Sequence, residues 1–467
     1  MRRHSLVTSV LTMVLTVSPT VAALANSSAA TSDSSNKRSM ESLARLALEA
    51  NAESANAIEE LRAMGPEGLR AFLETNRPEI EAALKTTSSF KGDQGDDGSP
   101  LADVRDHGLS SKKNQVLSAL DSICQQKDCY ASKLYWYTNL DQAKSAAQAQ
   151  GKLILSLRLL GRLDEDLSCA NSRLFRIVLY ANEQVSKLLR ESFVLHWQSV
   201  RPVPKLTIDF GDGRKMERTL TGNSIHYVLD SQGRVIDALP GMYGPGAFRR
   251  ELERIMSAAA NLAGSETDDD RNTALRRYHA FRLNELENAW LNDVRRAGLR
   301  VAPSREIPRP AGVLSSPPSA PKAAAVAISK TGLIERPILR GMSDNPMLLD
   351  SIGRDAGWSS IASLYAQDAA TDLATRRLML FKDPLLASAA LRTAIALERA
   401  VAEDTVRNEY VLRARIHGWL MTVNVNPELA GLNEKIYAEL FLTPSWDAWL
   451  GLRPADAYSG IDKDGVR

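Results

Sequence analysis

Two adjoining stretches, KLILSLRLL at 152–160 and LSCANSRLF at 167–175, decide the fold of this chain. The first is apolar almost throughout, the pattern of a strand buried on both faces. The second opens on a polar turn and runs into a helical pattern from about Ser172 to Glu191, and the strand FVLHWQSV follows. Cys169 therefore sits where a strand turns into a helix. Free backbone N–H groups and the helix dipole at such a junction favour a thiolate. The residue three positions on is Ser172, not a second cysteine.

The flanks extend the alternation. Upstream, LDQAKSAAQAQG reads as a helix closed by Gly151; downstream, a GDG turn at Gly211–Gly213 precedes IHYVLD, a tight SQG turn and VIDAL, which together form a hairpin. PGMYGPGAFRRELERIMSAAANLA begins with helix breakers and ends as a helix. Strand, helix, strand, hairpin and closing helix predict an α/β layer with a mixed sheet over residues 111–263.

That order resembles the thioredoxin fold. YWYTNLDQAKSAAQAQGKLILSL is similar to the opening of periplasmic thioredoxin-like domains, IHYVLDSQGRVID to their hairpin, and PGMYGPGAFRREL to their last turn and helix. The resemblance covers roughly a third of the chain. It implies that Cys169, Ala170, Asn171 and Ser172 stand where active members carry CxxC, so the motif here is CxxS. Cys169 is then the candidate nucleophile, and no local resolving cysteine exists. A single thiol still suffices for a mixed disulfide, since exchange needs one attacking thiolate. The family also places a cis-proline before the next strand, facing the thiol; Ser224 falls nearest that position. His226, two residues on, shares the side of Ser224 and is a candidate thiol partner. The plainer reading of a histidine in an apolar strand is a half-buried structural residue. His196 in VLHWQ reads the same way, on a strand that does not adjoin that of His226.

The other two cysteines, Cys124 and Cys129, lie five apart in ICQQKDCY, a loop short enough to close as a structural disulfide. Cys169 is then the odd thiol. CxxxxC has no matching second pair, so no metal site is expected, and no cofactor motif is present. Asp164, Glu165 and Asp166 before the thiol oppose its ionisation, whereas Arg173 and the helix start favour it. Asn171 and Ser172 serve equally well as helix caps.

Arg2–Arg3, the apolar run Leu6–Val17, Pro19 and Ala23–Leu24–Ala25 form a signal peptide over 1–25, followed by a polar leader at 26–37. The apolar run is shorter than the ~18 residues that span a bilayer. The mature chain is expected to be periplasmic or secreted, without stable membrane insertion. Lys and Arg total 58 against 56 Asp and Glu, with no basic run, so nucleic acid is not an expected partner and protein partners are.

Residues 38–86 carry helical stripes punctuated by Gly65–Pro66, a helical hairpin region. RAMGPEGLRAFLE resembles one HEAT-type unit, without the further copies a solenoid needs. A Gly- and Asp-rich linker at 87–110 follows; its DQGDDG lacks the closing glutamate of a calcium loop. Beyond the central layer come a charged helix at 264–298, a Pro/Ala-rich linker at 299–327 and a mainly helical C-terminal domain at 328–467. Glu403, Asp404, Glu409 and His417 on its long helix have no metal-ligand spacing and read as a solvated or salt-bridged face. The aromatic tail from Phe441 to Leu452 is a segment packed on the helices, or else a partner-binding patch.

Two functions fit these residues: a binding or scaffold module without dithiol redox catalysis, favoured by the missing cysteine and proline, and a monothiol exchange protein using Cys169. A hydrolase has no Ser-His-Asp or metal signature to support it.

Overall fold

The computed structural model describes residues 40–49, 51–85, 101–307, 317–342, 347, 349, 355–383, 389–422, 428–453 and 460–466. The signal peptide and leader expected over 1–37 lie outside these residues, as do most of the 87–110 linker and the middle of the 299–327 linker. The chain divides into two compact units, 1–77 and 78–467.

In the first unit α1 (Glu53–Ala63) and α2 (Pro66–Thr75) form the expected hairpin. Gly65 turns the chain at φ 70°, a conformation that suits glycine, and Pro66 opens α2. A Cβ on Gly68 would meet the Leu61 carbonyl oxygen, so α1 and α2 cross only because that position is glycine.

In the second unit, helix α3 (Leu101–Cys124) begins ten residues before the end of the expected linker. A mixed five-stranded sheet follows: β1 (Trp136–Tyr137), β2 (Leu153–Leu160), β3 (Phe193–Arg201), β4 (Ile225–Leu229) and β5 (Val235–Pro240). Their order is β1-β3-β2-β4-β5; β1 and β2 run parallel to β3, and β4 and β5 are antiparallel. Helix α4 (Leu140–Gln150) starts on the side chain of Asn139 and ends at Gly151, φ 63°. Helix α5 (Ala170–Leu174) continues through a wider π turn, Phe175–Leu179, and α6 (Glu183–Ser192) leads into β3. A two-stranded hairpin, Lys205–Asp209 with Lys215–Thr219, projects between β3 and β4. Helix α7 (Pro245–Leu262) closes the layer, so the sheet is flanked by helices as expected.

The helices beyond the layer are not a separate body. Helix α8 (Asp268–Arg296), α9 (Ile328–Lys330), α10 (Ala390–Arg407), α11 (Ala414–Thr422) and α12 (Leu429–Glu439) belong to the same unit, and one hydrophobic core runs from Leu134 to Phe441. Arg305, in the expected linker, pins its segment to α8 through two bonds to Glu287 of 2.6 and 2.8 Å. Of the tail, Phe441 and Leu450 are buried, whereas Trp446 and Trp449 are about half exposed. No helix among the described residues is long and apolar enough to cross a membrane.

Candidate functional site

Cys169 precedes the first turn of α5, its backbone N–H donating to the Leu160 carbonyl at 3.2 Å and its carbonyl accepting from Arg173 at 3.1 Å. The side chain is fully buried. Its thiol donates to Ser172 Oγ at 3.4 Å, and Ser224 Oγ lies 3.2 Å from the sulfur. Ser172 donates in turn to the Cys169 carbonyl at 2.8 Å, closing the turn on itself. The two serines singled out in the sequence thus meet at the thiol. Asn171 contributes a long contact to Asn223, 3.5 Å, rather than a helix cap.

The loop opposite is built for close approach. A Cβ on Gly222, φ 129°, would stand 2.9 Å from the Cys169 Cβ and 2.8 Å from a Leu160 methyl. Two side chains from beyond the central layer hold this loop down. Lys330 Nζ, fully buried, donates to the Gly222 carbonyl at 2.7 Å, and Tyr437 donates to the Asn223 carbonyl at 2.9 Å. Glu335, also fully buried, stands 3.8 Å from Lys330, and burial pushes its carboxyl above the usual range. Sequence patterning missed Lys330 and Tyr437 because nothing in a helical stripe reports which distant loop it covers.

His226 faces α5 as Ser224 does, but one step further along. Its ring packs on Phe175 and Phe248, with centroids 4.7 and 5.0 Å apart, and Nε2 lies 2.7 Å from the Tyr180 hydroxyl. The bond it makes is to the phenol, not to Cys169. Complete burial lowers its pKa to about 3, so the ring is neutral. His196 is likewise fully buried rather than half-buried; its Nδ1 lies 2.9 Å from Ser156 Oγ on the neighbouring strand, and burial lowers it to about 3. The strands of the two histidines are separated by β2.

Cys124 and Cys129 form the disulfide, both sulfurs buried and the Cα atoms 6.3 Å apart. Asp121, at the end of α3, accepts the Cys129 N–H at 2.9 Å and fixes the loop.

A second buried cluster joins β5 to the C-terminal helices. Arg413, fully buried, reaches Asp237 at 2.8 Å, Glu251 at 2.6 Å and Glu409 at 2.8 Å. Burial opposes the charge on Asp237, but Arg413 and the neighbouring histidines overcome it and hold the carboxyl well below the usual range. Glu403, Asp404 and His417 are buried, so of the two readings of this face, solvated or salt-bridged, the solvated one is replaced by an interior face, and Glu409 is salt-bridged to Arg413. The reason is that successive turns pack on different partners: Asp404 accepts from the start of α9, Glu403 from Ser359, and Arg413 and His417 lie against Asp237. Asp237, His279 and His417 offer ligand atoms within 4.8 Å of one another. The guanidinium and the Tyr278 hydroxyl, 2.8 and 2.6 Å from Asp237 Oδ2, already satisfy that oxygen, and the Ala238 N–H bonds the other at 2.7 Å. The arrangement is that of an internal ion pair with a histidine pair beside it, Nδ1 to Nδ1 2.9 Å.

Comparison with protein-family models, with curated proteins and with solved structures finds no match.

Proposed function

We propose that this chain is an exported thioredoxin-like protein acting as a binding or scaffold module, without dithiol redox catalysis. The strand order β1-β3-β2-β4-β5, with the thiol at the start of the helix after β2, supports the thioredoxin-like reading. The buried Cys124–Cys129 disulfide fits an oxidising compartment, periplasmic or secreted.

The observation that carries the functional reading is the covered thiol. Cys169 has serine hydroxyls where a resolving cysteine and a substrate-docking proline would act, and the opposing loop is clamped over it by Lys330 and Tyr437. A working exchange thiol has to present its sulfur to a substrate disulfide in line with the S–S bond. This one is packed in a core. The frame is retained as a scaffold on which the helices assemble a surface for protein partners.

Alkylation of the native protein at graded pH, with mass-spectrometric mapping, tests the reading in the wild type and in His226→Ala. Cys169 is expected to react only after unfolding, with Cys124 and Cys129 already bonded. Rapid native labelling near neutral pH, slowed in His226→Ala, would overturn the binding-module reading in favour of monothiol exchange.

A further inference from the structure

The face of the sheet turned away from Cys169 carries a different feature, independent of the thiol. On β2, side chains alternate: Leu155 and Leu157 face α5, and Ser156 and Arg158 face the other way. Arg158 comes from the middle strand of the sheet and is only 7% exposed. Among the described residues its side chain has no carboxylate partner and no hydrogen bond; the neutral Tyr227 and Tyr437 phenols and the His196 ring lie near it. A guanidinium remains ionised even when buried, and a buried ion without a counter-ion is costly. Most of the other buried arginines of this chain are matched: Arg413 by three carboxylates, Arg282 by Glu251 and Arg271 by Asp230.

Arg158 lines a cavity of about 760 Å³ between α4, the β4–β5 turn and the starts of α8 and α12. That volume is in the range of small-molecule sites, roughly 300–1,000 Å³. The cavity's other cations are largely committed: Arg234 to Asp230 and Asp268, at 2.7 and 2.8 Å, Arg271 to Asp230, and Lys144 to Asp141. Its carboxylates, Asp268, Asp269 and Glu428, are exposed at the rim. Helix α12, eleven residues long, starts at this cavity, and its N-cap residue Glu428 makes no side-chain capping bond. The first N–H groups of an uncapped helix are anion donors. A buried unpaired guanidinium and an uncapped helix start therefore line the same cavity.

The geometry points to a binding site for a small oxyanionic ligand, carboxylate or phosphate, held by Arg158 as a fork and by the N-terminus of α12. A guanidinium matches both anions through two parallel N–H···O bonds, which is why the shared chemistry, and not one anion, is assigned.

Calorimetric titration of the full-length mature protein with succinate and with inorganic phosphate, against potassium chloride at matched ionic strength, tests it. Saturable binding of either anion above the chloride control is expected, weakened at least tenfold in Arg158→Met; which of the two binds identifies the ligand's acid group. Binding of neither anion, or undiminished binding in Arg158→Met, would overturn the assignment. Should that variant fail to fold, phenylglyoxal modification of the wild type decides: the binding anion is expected to protect Arg158 at least fivefold, mapped by mass spectrometry. Equal modification with and without the anion would also overturn it.

Discussion

Arg413 on the C-terminal helical run and Asp237 on edge strand β5 form an ion pair of 2.8 Å in which both side chains are fully buried. They lie far apart in sequence, and their bond joins the α/β layer to the helices beyond the linker.

Removing one partner leaves the other charged and unmatched in the interior. Arg413→Met strands Asp237, whereas Glu251 keeps Arg282 at 2.8 Å, and is expected to cost roughly 3–5 kcal/mol. Asp237→Asn in that background should recover part of the loss. Urea denaturation measures both; a loss below about 1 kcal/mol would show that water reaches the pair.

Gly222 carries the second prediction. Alanine there meets Cys169 Cβ at 2.9 Å and Leu160 Cδ1 at 2.8 Å, on a backbone with φ 129°. Overpacking and backbone strain together should destabilise Gly222→Ala by roughly 2–3 kcal/mol. An unchanged denaturation midpoint would contradict the close approach of the loop to the thiol.

Lys330→Met removes the bond to the Gly222 carbonyl and takes from buried Glu335 its nearer cation, leaving the charge of Arg173. Loop 220–224 should then open, and native alkylation of Cys169 should accelerate at least tenfold with little change in far-ultraviolet circular dichroism. If the rate stays at the wild-type level, Lys330 does not gate the thiol.

Acid should destabilise the fold before the ordinary carboxylates titrate. Burial holds His196 and His226 at about 3 and His279 at about 4. Below the unfolded value near 6.5 the unfolded chain binds protons that the native rings refuse, so stability falls as pH drops towards those folded values. Each histidine contributes a slope of roughly 1.4 kcal/mol per pH unit. Asp404 works the other way: burial raises it to about 6, so its native form takes up a proton between that value and its unfolded one. His417, which burial also lowers, joins these three histidines against Asp404 and the raised carboxyls of Asp121 and Glu335, leaving a net decline readable in denaturation curves at pH 7, 6 and 5. His226→Gln should flatten it by about one histidine's share.

Local chemistry was legible in the order of residues. The apolar run of β2, the helix closed by Gly151, the hairpin and the charged helix all follow from periodicity and punctuation, which act over a few residues. So did the Cys124–Cys129 pairing, because a five-residue spacing limits the partners. The resemblance to the thioredoxin fold singled out Ser172 and Ser224 as motif positions; that both touch Cys169, one three residues along the chain and one across the fold, is seen only in the structure.

What the chain's order left open is decided by packing between distant segments. His226 could have faced a thiol or a phenol; the tertiary structure sets Tyr180 at 2.7 Å, and burial keeps the ring neutral. A solvated helix face and an interior ionic one have the same pattern of Glu, Asp and Arg, and only packing against Ser329, Ser359 and the sheet edge bearing Asp237 makes it interior. The sequence alone determines that a lone thiol stands at a strand-to-helix turn, because that depends on neighbours along the chain. That the thiol is covered by Lys330 and Tyr437, and that Arg158 on the opposite face has no counter-ion among the described residues, depends on residues brought together across the fold, where burial sets the cost of every unmatched charge.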